Sequence, residues 1–343
     1  MKDLGYVVYA TSFFYLVDQL SFVDKLIVPS SFESFDLRVL EDLALDYVNE
    51  VDYIIFTSDV NFSRFPKSKI IGNVDTGAIN DKFKLYKKLY KNFLLPETYL
   101  LNDFNEALEV VNNSDKSFLV KPRFGSGGVG IDWFNKDSII NNDFILQEYV
   151  SGSSISSSFL AYPGSDITML CVSDQVIGSK RLGASNFMYC GNVTPFIRDV
   201  PKVHNISSKI ARMCRLRGVN GIDFVLQGDR VYVLEVNPRI CGTFENIETS
   251  FDINLAKAHI DSCNNDYFNL PSLRNFSVKL IPYSFIDSAY TLSSTDNVHD
   301  ISSMDYVIKK GSPIATIITS DRILENAMSK AQRLQKIIYN SKK

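Results

Sequence analysis

Histidine is scarce in this chain of 343 residues: there are three, far apart, beside five cysteines that never form a C-x-x-C pair. That spacing excludes a zinc site. The unpaired thiols, Cys171, Cys190, Cys214, Cys241 and Cys263, read as reduced cysteines of a cytoplasmic protein rather than a disulfide framework. An excess of positive charge is also missing. Lys and Arg number 36 against 39 Asp and Glu, a net charge of −3, and the pI is about 5.7. Without a basic field, neither nucleic acid nor an anionic membrane is an expected partner. No run reaches the roughly eighteen apolar residues that a bilayer span needs. The opening stretch 5–17 is apolar, but Asp3 precedes it, Asp18 ends it, and no A-x-A-like cleavage site follows. It is expected to be a buried strand running into a helix, not a signal segment. No G-x-G-x-x-G follows that first strand, so a dinucleotide site is not supported. Internal repeats and coiled-coil heptads are absent.

What is present is the composition of an ordinary enzyme, 45% hydrophobic and 22% charged, with enough length for two or three units. Residues 1–80 alternate strand and helix patterns: Tyr6–Tyr9, a strand within Phe22–Val28, a helix over Leu37–Val51, and the short apolar run Tyr53–Phe56 that ends in Thr57-Ser58-Asp59. This predicts a small parallel α/β domain. The turn-rich stretch Gly72–Asp81 marks a boundary, and Asp81 caps a helix over Lys82–Phe93. Asp103–Asn112 reads as a helix, and Phe118–Val120 and Ile145–Val150 as strands. Alternation over 157–161, 168–172 and 175–177 predicts antiparallel hairpins, a helix covers 203–216, and a hairpin runs from Asp223 to Val236. Residues 81–270 would form the second domain. Residues 271–343 would form a C-terminal region, β-rich with a turn at Lys309–Pro313, a strand at Ile314–Thr319 and a basic final helix.

Two segments carry chemistry. In Gly125-Ser126-Gly127-Gly128-Val129-Gly130, four of six residues are glycine. Glycines allow positive φ and let backbone N–H groups approach an anion without a Cβ in the way. Lys121, at the end of the preceding strand, can put an ammonium on phosphates. No Gly-Lys-Ser/Thr closes the loop, so it is not a Walker A motif, and an ordinary glycine-rich hairpin remains open as a reading. In the second segment, Asp223 and Glu235 are twelve residues apart and Asn237 follows two later. A hairpin turning at 227–229 brings 223 near 235, and 235 and 237 share one face by the strand period. Three hard oxygen donors then converge, as magnesium with nucleotide phosphates requires. Arg239 shares that face and could clamp a transferring phosphoryl group. A solvated charged hairpin is the alternative, but it leaves carboxylates in apolar strands unexplained.

At these residues the chain resembles the ATP-grasp superfamily, which includes D-alanine–D-alanine ligase, biotin carboxylase and the carboxylate–amine ligases of cofactor biosynthesis. Over its whole length it looks most like a group of ATP-dependent carboligases of archaea and methylotrophs. That similarity is carried by Ile71–Asn73, Asp81-Lys82, Leu146–Val150, Tyr189–Asn192, Asn220–Phe224, Glu235–Thr243 and Gly311–Thr316. The resemblance implies an α/β (α+β) ATP-grasp fold behind a Rossmann-like α/β pre-ATP-grasp domain. Lys82 and Lys121 would contact ATP phosphates, and Gly125, Ser126, Gly127 and Gly128 would belong to the loop that closes over them. Gln147, Glu148, Tyr149 and Val150 would form the hinge reading adenine. Asp223, Glu235 and Asn237 would hold Mg²⁺ or Mn²⁺, and Arg239 would sit beside the reacting phosphoryl group. The position that often bears a ribose-binding carboxylate is Ser154 here. Glu245 and Glu248 are candidates for the acceptor side, and Lys180 and Arg181, on a predicted strand edge, could hold an anionic substrate or simply be surface. The implied reaction joins a carboxylate to an amine through an acyl phosphate with release of ADP, as in the tyramine–glutamate ligase type. A bicarbonate-using carboxylase-like enzyme and a non-catalytic nucleotide binder are the alternatives. A homodimer is compatible with the superfamily.

Overall fold

The computed structural model describes residues 1–31, 36–164, 166–198 and 200–343. The N-terminal region pairs β1 (Tyr9–Thr11) with β2 (Lys25–Ile27) in parallel, and a second parallel contact joins Ile54 to Ile70. Helix α1 (Leu37–Leu45) packs beside them, capped by the Asp36 carboxylate on the Arg38 N–H. The parallel α/β expectation is met in outline, with shorter elements. Tyr6 and Val7 are 40% and 76% exposed, so the first strand starts only at Tyr9. The segment after it ends in the single 3₁₀ turn Gln19–Ser21 instead of a helix, and Tyr53–Phe56 contributes one bridge rather than a strand. The α1 helix stops at Leu45, short of the predicted Val51.

Helices α2 (Gly77–Asn80) and α3 (Lys82–Leu89) follow, and α3 starts where the sequence predicts. Asp81 accepts from the Phe83 and Lys84 N–H groups, both at 3.1 Å, satisfying two donors that a helix N-terminus leaves free. A small sheet is then built from β3 (Thr98–Tyr99), β4 (Phe118–Pro122), β5 (Asp132–Trp133) and β6 (Phe144–Glu148), in the spatial order β3-β6-β4-β5. Helix α4 (Phe104–Asn112) covers it through Ala107, which packs with Phe118, Val120 and Leu146.

The large sheet contains β7 (Ser153–Ala161), β8 (Ile167–Ile177), β9 (Tyr189–Thr194), β10 (Gly218–Gln227), β11 (Arg230–Asn237), β12 (Phe276–Leu280), β13 (Val298–His299) and β14 (Thr316–Asp321). Among the described residues it runs β11-β10-β7-β8-β9-β12-β14-β13, antiparallel at every step. The two short runs predicted at 168–172 and 175–177 are one strand, β8. One face packs on α5 (Pro201–Cys214) and α3: Ile155, Phe159, Ile222, Phe224 and Val233 meet Val203, Ile210, Leu85 and Leu89. The other face meets α6 (Phe244–Phe251) and α7 (Leu255–Cys263) around Leu160, Val219, Ile247 and Leu255. Residues 271–343 add β12, β13 and β14 to the same sheet and cover them with α8 (Leu324–Asn340), where Val278, Ile317, Ala327 and Ala331 are buried together. Among the described residues, no helix is long and apolar enough to cross a membrane.

Two buried polar residues clamp the N-terminal region to the large sheet. Asn73 donates to Asn220 Oδ1 at 2.8 Å, Pro238 O at 2.9 Å and Arg217 O at 3.2 Å, and accepts from the Arg217 N–H at 2.9 Å. His259 accepts the Val219 N–H on Nδ1 at 2.9 Å and turns Nε2 to Ile71 O at 3.0 Å. Burial pushes its pKa down, which keeps the ring neutral with Nε2–H as the donor. Asn73→Ala strands several buried polar groups and should cost roughly 2–4 kcal/mol. Urea unfolding checks this as a lowered midpoint at unchanged slope. A loss below about 0.5 kcal/mol would contradict the clamp, since that is the scatter of ordinary surface substitutions.

Candidate functional site

The two acidic positions meet because β11 contains an irregularity. Asp223 lies opposite Glu235 and Gly221 opposite Asn237, but Phe224 lies opposite Val233, leaving Leu234 as the extra residue of a β-bulge. Val231, Val233 and Val236 face the α5 core. Regular alternation from Val233 would send Glu235 into that core too. The extra residue reverses the parity, so Glu235 and Asn237 emerge on the face that carries Asp223.

That face carries a polar row across six strands. Starting from Glu235 and Asp223, the register continues to Ser156, Ser173 and Gln175, then Asn192, then Lys279. Asp223 accepts from Gln175 Nε2 at 2.9 Å and Asn237 Nδ2 at 3.0 Å, and its third partner is the Ser156 hydroxyl. Burial, reinforced by the negative charge of Glu235, pushes the Asp223 carboxyl up to about 6. At the far end Asn192 donates to the Tyr189 hydroxyl at 2.5 Å, and Lys279 donates to Gly242 O at 3.1 Å and Glu245 at 2.9 Å. Burial raises the Tyr189 hydroxyl and pushes the Cys241 thiol up to about 12, so both rest protonated.

Two lysines from outside the sheet face the row. Asp81 caps α3 and also takes the Arg123 guanidinium on both oxygens, at 3.0 and 2.7 Å, while the Lys82 N–H donates to Arg123 O at 3.1 Å. Anchored in this way, Lys82 brings its ammonium to 3.2 Å from Glu235 and 2.5 Å from Gly125 O. Lys121 donates to Gln147 Oε1 at 2.6 Å. Burial, with Lys82 nearby, pushes Lys121 down to about 8 against the pull of Glu235. The glycine loop lies beside Lys82 and the row. Gly125, Gly127, Gly128 and Gly130 all have positive φ, and a Cβ on Gly128 would stand 1.9 Å from Phe187 O. Gly127 O accepts from the Tyr189 N–H at 3.0 Å, which ties the loop to the row.

Arg239 is engaged by a partner the sequence reading did not single out. Asp59, just after the Tyr53–Phe56 run, accepts from Arg239 Nε at 2.7 Å and from Nη2 at 2.9 Å. Arg239 also donates to Ile240 O at 3.1 Å and approaches Asn237 Oδ1 at 3.4 Å. Burial works to raise the Asp59 carboxyl, but the Arg239 hydrogen bonds and charge outweigh it and hold it below its ordinary value. Asp59 could have been suspected as a carboxylate that ends an apolar run in an α/β region, the usual place for ligand-facing groups. Lys279 gave no local signal.

The structure thus brings Lys82, Lys121, Gly125, Ser126, Asp223, Glu235, Asn237 and Arg239 to one cleft. In the 147–150 segment, the Gln147 side chain bridges Lys121 and Thr98, Glu148 holds the Glu97 N–H at 3.0 Å and pairs with Lys116, and Val150 packs on Val225 and Tyr232. Tyr149 sits edge-on to Trp133. Ser154 is half-buried in β7, opposite Val225. Two expectations need correction. Glu248 accepts the Leu255 N–H at 2.7 Å and joins α6 to α7, so of the two glutamates only Glu245 borders the polar row. Lys180 and Arg181 lie in an exposed 3₁₀ turn rather than on a strand edge.

Residues 79–243 match the family described as ATP-grasp domain. An uncharacterized protein of Methanocaldococcus jannaschii is 33% identical over 344 residues, covering 94% of this chain and 85% of the relative. The tyramine–L-glutamate ligase of the same organism is 23% identical over 284 residues, 71% of this chain and 86% of the relative. Among solved structures, the biotin carboxylase domain dimer of Hydrogenobacter thermophilus 2-oxoglutarate carboxylase, bound to MgADP, ADP and bicarbonate, superposes with a TM-score of 0.72. It is 15% identical, and the match covers 100% of this chain and 86% of that one.

The lysine environment has a measurable consequence. Lys121 titrates near 8 when folded, against about 10.4 when unfolded. Between those values the unfolded chain holds a proton that the folded chain lacks, so the lysine makes stability rise with pH. The unfolding free energy of the wild type minus that of Lys121→Met should therefore increase from about pH 8 to about pH 10.4. A difference that stays flat over that range would contradict the buried ammonium.

Proposed function

We propose that this chain, which belongs to the ATP-grasp family, is a ligase that joins a carboxylate to an amine through an acyl phosphate, releasing ADP and phosphate. The observation that carries the reading is the meeting of Asp223, Glu235 and Asn237 with Lys82 and Lys121 at the mouth of a glycine loop. In this reading residues 1–80 flank the site, residues 81–270 supply nucleotide and metal contacts, and residues 271–343 close the far end of the sheet.

The donors suit magnesium or manganese: two carboxylates and an amide oxygen are hard ligands, and nucleotide phosphates complete such a set. Burial and, after it, the negative charge of Glu235 push up Asp223, a cation would relieve that charge excess, and the Lys82 ammonium already sits on Glu235. A bound divalent ion would neutralise phosphate charge. The chain's own contribution is positional. Lys82 and Lys121 hold the phosphates, the loop 125–130 covers them, the 147–150 segment borders adenine, and Arg239 faces the transferring group. A substrate carboxylate on the polar row attacks the γ-phosphorus, giving an acyl phosphate and ADP. The amine nitrogen then attacks the acyl carbon, the C–O bond to phosphate breaks, and the amine proton is released. Most of the acceleration comes from orientation and charge neutralisation. The likeness to tyramine–L-glutamate ligase supports an amine as acceptor.

With Mg-ATP, pooled small carboxylic acids and hydroxylamine, the chain should release ADP and form a hydroxamate. Glu235→Gln should cut this turnover on the order of 100-fold or more while the fold is kept. ADP release on bicarbonate alone would favour a carboxylase, and AMP in place of ADP would overturn the acyl phosphate.

A further inference from the structure

Asp59 belongs to the N-terminal region, yet it reaches into the cleft and takes the Arg239 guanidinium side-on with both oxygens, at 2.7 and 2.9 Å. Both side chains are nearly buried, 10% exposed for Arg239 and 11% for Asp59. Their geometry is the parallel two-bond fork that fixes a guanidinium in orientation as well as in place. The contacts to Ile240 O and Asn237 Oδ1 use further N–H groups. Arg239 is therefore held on several sides, and one of those sides comes from a different part of the fold. The same Asp59 carboxylate faces a second group, the Ser126 hydroxyl of the glycine loop, and feels the charge of Lys82. That loop is pinned at two more points, by Lys82 Nζ on Gly125 O and by the Tyr189 N–H on Gly127 O.

We propose that Asp59 is a positioning residue that aims Arg239 and, through Ser126, links that aim to closure of the glycine loop. The proposal rests on the ligase reading for its kinetic consequence but not for its structural one. With the loop down, Ser126 and Arg239 share one carboxylate. When the loop lifts, Asp59 loses the hydroxyl, and Arg239 is left with a carboxylate free to shift. The N-terminal region thereby contributes to the phosphoryl step without touching substrate.

The test compares the wild type with Asp59→Asn, Asp59→Ala and Ser126→Ala. The first readout needs no activity: hydrogen exchange of the Tyr189 amide, whose N–H is bonded to Gly127 O, in the absence of nucleotide. Exchange should speed up at least about three-fold in Asp59→Asn and in Ser126→Ala, with the protection of the large-sheet core unchanged (three-fold corresponds to an opening equilibrium moved by about RT). The second readout is kinetic. Asp59→Asn should lower kcat roughly 10- to 100-fold with the KM for ATP within a few-fold, the pattern of an interaction used only in the transition state. Added formate should partly restore Asp59→Ala and should leave Arg239→Met unchanged. If Asp59→Asn does not fold, Ser126→Ala alone carries the exchange test, because Ser126 is on an exposed loop. Unchanged exchange in Ser126→Ala, or an Asp59→Ala enzyme with undiminished kcat, would overturn the proposal. A wild type that releases no ADP with any acid would sink the ligase reading and leave the exchange result to decide the loop link by itself.

Discussion

The site depends on one unpaired residue. Leu234 opens a bulge in β11, and without it Glu235 would continue the inward alternation of Val231 and Val233. A carboxylate in that apolar layer would be costly and out of reach of Lys82. With the bulge, the same strand supplies core residues on one side and a carboxylate, an amide and the start of the Arg239 turn on the other. Bulges next to functional sites are a common way to redirect side chains.

Carrying a polar row through a sheet is expensive unless every group is matched, and here the matching is thorough. Asp223 takes three neutral donors, Ser173 pairs with Thr194 at 2.7 Å, and Asn192 serves both Tyr189 and Thr194. Neutral donors around Asp223 solvate the carboxylate without cancelling its charge, which suits the metal ligand that the proposed reading makes of it. Lys82 and Lys121 arrive from α3 and β4, whereas Lys279 stands on β12 of the large sheet itself and Arg239 follows β11. Nucleotide phosphates would thus lie between two walls, with the glycine loop as the third.

Much of this was legible in the sequence. The Asp81 cap, the glycine density and the shared face of 235 and 237 each rest on a local rule, namely capping, positive φ or strand period, and the structure keeps these features, whereas the pairing of 223 with 235 needs the bulge at Leu234, which no strand period shows. Periodicity could not resolve the short N-terminal elements, because strands of three residues leave no alternation to count. Nor could local rules find the clamp at Asn73 or the place of Lys279 in the polar row, and for Asp59 they offered only its position at the end of an apolar run. Their importance comes from partners 147, 34 and 180 residues away in the chain, at Asn220, Glu245 and Arg239. Glu248 shows the reverse failure: a glutamate in the right neighbourhood whose Oε1 is taken by the Leu255 N–H, joining two helices.

In the proposed reaction a substrate carboxylate oxygen becomes bonded to the γ-phosphorus of ATP. It is tested most directly with the acid that supports turnover, labelled with heavy oxygen in its carboxylate, followed by phosphorus NMR of the products. An acyl phosphate requires one labelled oxygen in the released inorganic phosphate and none in ADP. Label in AMP, or unlabelled phosphate alongside amide product, would contradict the account.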